Sequence, residues 1–107
     1  MVIIAEIHTT YAGKDVADHI ALDLVQSKLI ACANLIEARS YFYWEDKSQC
    51  ENEILVIMKT MPDLVPEVIK AITRHHPYQL PAITWSAVNC TDDYGHWVEN
   101  QTTLSAQ

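Results

Sequence analysis

Hydrophobic and polar positions in the first third of the chain predict a strand followed by a helix. Residues 2–9 are rich in β-branched side chains, with four apolar positions first and alternation afterwards. After a turn at Gly13, residues 15–29 repeat apolar side chains at helical spacing. Two neighbouring rows make up this stripe: Val16, Ile20 and Leu24, and beside them Ala17, Ala21 and Val25.

A long antiparallel hairpin is predicted for the middle of the chain. Residues 30–44 are strand-like in two pieces, because the polar stretch 37–40 separates an apolar piece from an aromatic one. Residues 45–52 are polar and are predicted to form the connection. Residues 53–60 are apolar except near their ends, which is typical of a buried strand. The two strands follow each other closely enough to pair as antiparallel neighbours.

A second helix is predicted after this hairpin. Pro62 and Pro66 suit its first turn, where a missing backbone N–H costs nothing. Basic Arg74 and His75 suit its carboxyl end, where the helix dipole favours positive charge. Because the residue before a proline is pushed out of the helical region, Pro77 is predicted to stop the helix.

The remaining residues predict a fourth strand and a last helix. The strand covers residues 82–88, and Thr91 or Asp92 begins a helix that runs to about Asn100. Residues 101–107 are polar and are predicted to be a flexible tail. The order is β-α-β-β-α-β plus a helix. The whole chain of 107 residues is therefore predicted to be one α+β, ferredoxin-like domain with an antiparallel four-stranded sheet.

Both faces of the predicted sheet are apolar, which predicts an oligomer. Among residues 30–36 only Asn34 is polar. In the next strand, Ile54, Val56 and Met58 point one way and Leu55 and Ile57 the other. A ferredoxin-like monomer covers one face with helices and leaves the other to water, so its strands should alternate. Either a long loop or the terminal helix covers the second face within one chain, or other copies cover it; we expect other copies.

Net charge makes nucleic acid an improbable partner. The formal charge is -7, from 14 acidic and 7 basic residues, and the basic residues are scattered along the chain. Binding to phosphates needs a clustered basic surface, and none is present. No run of about 18 apolar residues occurs either, so no membrane span is predicted.

Cysteine usage favours a reducing compartment. The chain has an odd number of cysteines, Cys32, Cys50 and Cys90, and none of them belongs to a Cys-x-x-Cys motif. This spacing argues against a disulfide framework and against a zinc knuckle. The amino-terminal segment has no basic start, and Glu6 and His8 interrupt its apolar run, so it predicts a strand and not a signal peptide. A cytoplasmic location is expected.

Cys32 and the pair His75-His76 are the candidate metal ligands. Imidazole suits copper and zinc, and a thiolate adds affinity for Cu(I) or zinc. Neighbouring helical residues point about 100° apart, so both histidines can grip one ion only if the helix ends between them. The alternatives are a buried structural cysteine and exposed histidines at a helix end, because no established ligand spacing is present.

Charged and aromatic residues near the strand ends form a second candidate set. Lys59 and Glu53 lie near opposite ends of one strand, and Lys59 can line a pocket or simply extend into solvent. An aromatic band is made up of Tyr41, Tyr43, Trp44 and Tyr78. Such a band can stack a ligand or fill an interface between subunits, and we expect an interface. No glycine-rich phosphate loop, nucleophile motif or carboxylate pair is evident, so the chain is not expected to be an enzyme.

Five groups of residues form an ordered set of motifs along the chain. They are Lys28-Leu29-Ile30-Ala31-Cys32-Ala33-Asn34-Leu35-Ile36, Ser40-Tyr41-Phe42-Tyr43-Trp44-Glu45, Glu53-Ile54-Leu55-Val56-Ile57-Met58-Lys59-Thr60, His76-Pro77-Tyr78 with Pro81, and Asp93-Tyr94 with Trp97. The ordered set, which is more specific than any one motif, resembles that of the CutA (CutA1) family, the divalent-cation tolerance proteins. The resemblance covers essentially residues 2–100.

The resemblance implies a homotrimer packed through its sheets, in a cytoplasmic protein linked to tolerance of divalent metals, copper especially. It associates metal binding with Cys32, His75 and His76. It also implies that Trp44, Glu53, Lys59, His76 and Tyr78 cluster near a cleft between subunits. Because the family is similar in architecture to PII signalling trimers, a small-molecule sensor or an anchoring trimer without catalysis is the alternative function.

Overall fold

The structure is a computed structural model that describes residues 2–103. Its elements are β1 (Val2–Tyr11), α1 (Lys14–Gln26), β2 (Cys32–Trp44), β3 (Lys47–Thr60), a 3₁₀ turn (Pro62–Leu64), α2 (Val65–His75), β4 (Ile83–Cys90) and α3 (Asp92–Gln101). Within this range no helix is long and apolar enough to cross a membrane.

Over the described residues, the strands form one antiparallel sheet in the order β2-β3-β1-β4. β1 lies inside the sheet, where Ile7 pairs with Met58 of β3 and with Trp85 of β4. Helical crossovers after β1 and β3 bring the chain back across the sheet. This arrangement confirms the predicted ferredoxin-like α+β fold.

The first face of the sheet carries the main hydrophobic core under α1 and α2. On β3 the side chains of Ile54, Val56 and Met58 are buried here, and Thr60 completes the row. Burial of the Thr60 hydroxyl is compensated because its Oγ1 donates to the Leu29 carbonyl at 2.7 Å. The helices supply the opposite wall of this core: Ala17, Ile20, Ala21 and Leu24 from α1, and Val65, Val68 and Ile72 from α2.

Two details of the predicted helices need correction. α1 ends at Gln26, three residues before the predicted end, because the chain turns at Lys28, which has a φ of 66°. Val16 and Val25, placed on the apolar stripe, are 42% and 37% exposed. The helix buries a narrower stripe that lies between these two valines and consists of Ala17, Ile20, Ala21 and Leu24.

On the second face, α3 covers one end. Ile4, Ala31 and Val98 form a small buried cluster there. A Cβ added to Gly95 would lie 2.5 Å from the Cβ of Val2, so glycine lets α3 approach β1 this closely. The terminal helix therefore covers this end within one chain.

The rest of the second face, here called the open face, is mixed. Leu55 and Ile57 are half-buried on it, as expected for an apolar strand. β1 instead places polar Glu6, His8 and Thr10 there, between the buried residues of the first face. The expectation of a face apolar throughout holds for β3 and fails for β1.

The β2–β3 hairpin is longer and more regular than predicted. β2 runs without the interruption expected at residues 37–40, and the connection is two residues, Glu45 and Asp46, where residues 45–52 were predicted. Both have positive φ, 53° and 63°, as a type I′ turn requires. The polar residues were mistaken for loop because this part of the hairpin is exposed and needs no apolar side chains.

The distal half of this hairpin extends beyond the sheet. β1 ends at Tyr11, which pairs with Ile54, so residues 39–44 and 47–52 pair only with each other. We call these two segments the ribbon. Six residues of strand correspond to about 20 Å, and the longest dimension of the chain is 45 Å.

The predicted tail is partly ordered. Gln101 ends α3, and the backbone N–H of Thr103 donates to the Lys28 carbonyl at 2.9 Å. Residues 104–107 lie outside the described residues, so flexibility there stays a prediction.

Candidate functional site

Glu53 and Tyr78, two of the predicted cleft residues, meet where the ribbon leaves the sheet. The Tyr78 hydroxyl donates to Glu53 Oε2 at 2.7 Å. Burial acts to raise the pKa of Glu53, but the neighbouring Ser40, Tyr78 and Thr10 hydroxyls outweigh it and lower the pKa below its ordinary value. Glu53 is therefore a stable carboxylate at neutral pH.

His76 lies beside this pair and has both ring nitrogens engaged. Nε2 donates to the Thr10 carbonyl at 2.8 Å, since a carbonyl oxygen can only accept. Nδ1 accepts from the Tyr78 backbone N–H at 3.2 Å. Burial lowers the pKa of His76, against the Thr10 hydrogen bond and the Glu53 charge, which raise it. A neutral His76 in this tautomer offers no free lone pair to a metal.

His75 is the last residue of α2 and is exposed, whereas His76 is extended, with φ -77° and ψ 128°. The predicted end of the helix therefore falls between the two histidines. His76 turns back onto β1, where its ring stacks on Tyr11 with centroids 4.3 Å apart. Only His75 stays free of the sheet.

Cys32 lies at the other end of the open face. It begins β2 in register with Lys59, and its Sγ is 3.5 Å from the Tyr94 hydroxyl. Burial, helped by Cys32, raises the pKa of Tyr94 to about 12. Thr10, which holds His76, is in register with Leu55.

Lys59, opposite Cys32, and Leu55, opposite Thr10, are four residues apart on β3. About 13 Å of strand therefore separates Cys32 from the position of His76. Over residues 2–103, no three His, Cys, Asp or Glu side chains are grouped to hold a metal ion. One chain does not bring the predicted metal ligands together.

Lys59 and Trp44 also lie far from Glu53. Lys59 Nζ donates to Asn34 Oδ1 at 2.9 Å. Trp44 pairs with Lys47 at the ribbon tip. From Lys47 to Lys59 is twelve residues along β3, or about 40 Å of strand. All five predicted cleft residues can share a cleft only if different chains contribute them.

Glu6 and His8 are polar site residues that the sequence did not single out. His8 Nε2 lies 3.1 Å from Glu6 Oε1, and Glu6 is in register with Lys59. Alternation of Glu6, His8 and Thr10 with buried neighbours was the signal that could have found them. They make the centre of the open face polar.

A surface cleft of about 490 Å³ lies at the root of the ribbon. Lys14 Nζ pairs with Glu37 Oε2 at 3.2 Å on its wall. Its lining carries both signs of charge and some apolar surface: Ala12, Lys14, Glu37, Ala38, Arg39, Asn52, Glu53 and Ile54. The cleft could take a small polar ligand.

The model of the family described as CutA1 divalent ion tolerance protein matches residues 5–101. The "Divalent-cation tolerance protein CutA" of Pyrococcus horikoshii is 36% identical over 97 residues, which are 90% of this chain and 95% of the relative. The crystal structure of CutA1 from Ehrlichia chaffeensis has a TM-score of 0.90 and 36% identity, covering 97% of this chain and 99% of that one. The PII-like protein CutA from Nostoc has a TM-score of 0.89 and 25% identity, covering 94% and 99%.

Proposed function

The chain belongs to the CutA1 divalent ion tolerance family, and from that premise we propose that it is a homotrimer that binds divalent cations, copper in particular, in the response to metal ions. The ribbon is the observation that carries the assembly. It projects from the sheet as two strands, and an isolated two-stranded hairpin is only marginally stable in water.

The side chains of the ribbon fit a protein partner better than solvent. Tyr41 and Tyr43 are 73% and 79% exposed, and Phe42 is 40% exposed. Each such ring can bury roughly 150–250 Å² on association. Scaled by their exposed fractions, the three rings supply about half of the roughly 800 Å² per partner that a standard interface buries. The open face adds Ile36, which is 47% exposed, and half-buried Leu55 and Ile57.

On this proposal the metal ligands Cys32, His75 and His76 come from different chains. The spacing within one chain separates the thiol from the histidines, as described above. His75 is exposed and is the ligand we expect to contribute most. His76 can join only by giving up its hydrogen bond to Thr10 or to Tyr78.

Isothermal titration with Cu(II) tests the metal proposal. The double variant His75→Ala/His76→Ala and the single variant Cys32→Ser should each weaken copper affinity at least about ten-fold, since losing even a hydrogen-bonding partner of a metal ligand costs that much. The matched control is His19→Ala/His96→Ala, which removes two exposed histidines on other helices. Unchanged affinity in the first double variant would remove those ligands from the proposal.

Sedimentation equilibrium at micromolar concentration tests the assembly. A mass of three chains of 12.2 kDa is expected. A single-chain mass over the whole concentration range would contradict the trimer.

We propose further that the protein works without catalysis and in the cytoplasm. The ionised Glu53 and the neutral His76 have their polar atoms taken up by fixed partners, which suits a structural or binding role. Cell fractionation with an antibody to the chain tests the compartment.

The second candidate function is a small-molecule sensor of the PII type. The cleft at the root of the ribbon favours it, since its charged and apolar lining suits a polar metabolite. A ligand that binds only the folded state should raise the melting temperature. A metabolite screen without any shift in wild type would exclude this candidate.

A further inference from the structure

The root of the ribbon is a mechanical weak point. The pairing of β1 with β3 ends at Tyr11 and Ile54, and from there to its turn the hairpin continues as two strands. Two-stranded ribbons twist and bend more freely than wider sheets. A ribbon about 20 Å long moves its tip by many ångströms for a small change of angle at its root. Something must hold that angle if the tip is to meet a partner at one place.

The Glu53 carboxylate joins the segments that meet at this root. Its own strand, β3, enters the ribbon. Tyr78 donates to it from the loop after α2 at 2.7 Å, and the hydroxyls of Thr10 on β1 and Ser40 on β2 lie near enough to favour its charged form. Hydrogen bonds to an ionised acceptor are stronger and shorter than neutral ones. A single charged group thus links the ribbon to the sheet and to the loop.

The loop is itself fastened to the sheet. The His76 ring stacks on Tyr11 at an interplanar angle of 14°, and Tyr11 is 1% exposed. Nε2 of His76 holds the Thr10 carbonyl, and Nδ1 holds the Tyr78 N–H. Pro77 restricts the backbone between His76 and Tyr78. The Tyr78 hydroxyl is therefore presented to Glu53 from a rigid support.

We propose that this cluster, the Glu53 anchor (Glu53 with Tyr78, His76 and Thr10), fixes the direction of the ribbon so that its aromatic side chains meet a second copy of the chain. This inference rests on the proposed trimer. Holding the ribbon in one direction before association reduces the entropy lost on binding. Glu53 and Tyr78 are then positioning residues for assembly, and their role needs no bound ligand.

Three variants separate the anchor from general stability. Tyr78→Phe removes the hydroxyl and keeps the ring beside His76. Glu53→Gln keeps the shape and removes the charge. Tyr11→Phe is the matched control, because within residues 2–103 the Tyr11 hydroxyl has no hydrogen-bond partner while its ring carries the stack. Circular dichroism verifies that each variant is folded.

Sedimentation equilibrium gives the first readout. Tyr78→Phe and Glu53→Gln should each weaken trimer formation about ten-fold or more, the effect of one lost charge-assisted hydrogen bond. Tyr11→Phe should assemble like wild type. If both anchor variants assemble with wild-type affinity, the proposal is overturned.

Electron paramagnetic resonance gives the second readout, the distance between ribbon and helix within one chain. One spin label is placed on exposed Cys50 of the ribbon and one on α1 through Asp18→Cys, with Cys32 and Cys90 replaced by serine. Labelled chains are diluted in excess unlabelled protein. The distance distribution should broaden in Tyr78→Phe and Glu53→Gln and stay narrow in Tyr11→Phe.

The two measurements distinguish failure of the proposed trimer from failure of the Glu53 anchor. A wild type that sediments as a single chain overturns the proposed trimer. A distribution that stays equally narrow in every variant overturns the anchor, whatever the mass.

Discussion

The two halves of the β2–β3 hairpin are one continuous ladder with different sources of stability. In the proximal half, residues 53–60, buried and half-buried side chains alternate, and α1 and α2 cover the buried row. In the distal half, residues 47–52, the side chains are exposed except for half-buried Gln49. The proximal half is stabilised by this chain's own core. The distal half has no core, so we propose that its order depends on the Glu53 anchor and on a partner.

This difference teaches that regular backbone structure and buried side chains are separate properties. The hydrogen bonds of the ladder continue from Cys32 to Trp44 on β2, whether or not a side chain is covered. In a chain that works alone, a long exposed ribbon with aromatic side chains would be an aggregation risk. In an oligomer it is an interface.

The largest expected effect tests the proximal half. Ile7→Ala should lower the free energy of unfolding by about 3 kcal/mol, because Ile7 is fully buried and the core closes only partly around a cavity. Ile3→Ala, on the same strand and 51% exposed, should cost less than about 1 kcal/mol. Urea denaturation at one fixed protein concentration measures both. Equal losses of unfolding free energy in the two variants would contradict the position of Ile7 in the core.

Hydrogen exchange tests the distal half. On dilution from assembled to dissociated protein, amides of the ribbon should lose protection at least about ten-fold, because a partner no longer covers them. Amides of residues 54–60 should keep their protection, since they depend on the chain's own core. Mass spectrometry of exchanged peptides separates the two segments. Protection that is independent of concentration in both would contradict a partner on the ribbon.

Acid should loosen the anchor in two steps. The folded-state pKa of His76 is lowered from 6.5, so its contribution is complete above pH 6.5 and is lost as the pH falls toward the folded value. The pKa of Glu53 is lowered from 4.5, so its contribution is complete above that pH and is lost as the pH falls further. Both groups are partly exposed, so each step should be below about 1 kcal/mol.

Urea titrations at pH 7.5, 5.5 and 3.5, with a chelator present, would measure these steps. His76→Gln should remove the upper step and Glu53→Gln the lower one. Identical pH dependence in wild type and in both variants would show that these groups do not carry it.

The smallest expected effect concerns Tyr11. Its hydroxyl and the Thr9 hydroxyl are buried without a hydrogen-bond partner among residues 2–103. Tyr11→Phe removes an unsatisfied polar group and keeps the stack on His76, so stability should stay equal or rise by up to about 1 kcal/mol. A clear loss in thermal unfolding would reveal a partner for that hydroxyl.

Much of the fold could be predicted from local patterns. The strand–helix order and the end of α2 at His75 follow from periodicity and from rules about proline. Pro66 lies in the first turn of α2 as expected, whereas Pro62 begins the 3₁₀ turn before it. Thr91 was one of two expected caps, and its side chain accepts from the Tyr94 N–H. The ribbon was missed because exposed strands and polar loops have the same composition, and only the hydrogen-bonded register separates them.

The candidate site could be predicted only in part. Glu53 and Tyr78 were expected in one cleft, and they are in contact. The engagement of His76 with Thr10 could not be foreseen, because the two residues are 66 positions apart in sequence. Cys32 and Lys59 lie together at one end of the hairpin and Trp44 lies at the other. The distances along the strands put a site that these residues share with Glu53 and His76 beyond the reach of one chain.

The sequence by itself determined the ferredoxin-like order of elements, the core row of β3 and the family, because periodicity and ordered motifs are properties of the chain. Only the tertiary structure decided that the open face is mixed, that the hairpin extends past its sheet, and that His76 is bound to β1. These depend on which strands become neighbours and where one of them stops. Contacts between residues far apart in sequence, not local propensity, decide which strands pair and where β1 ends.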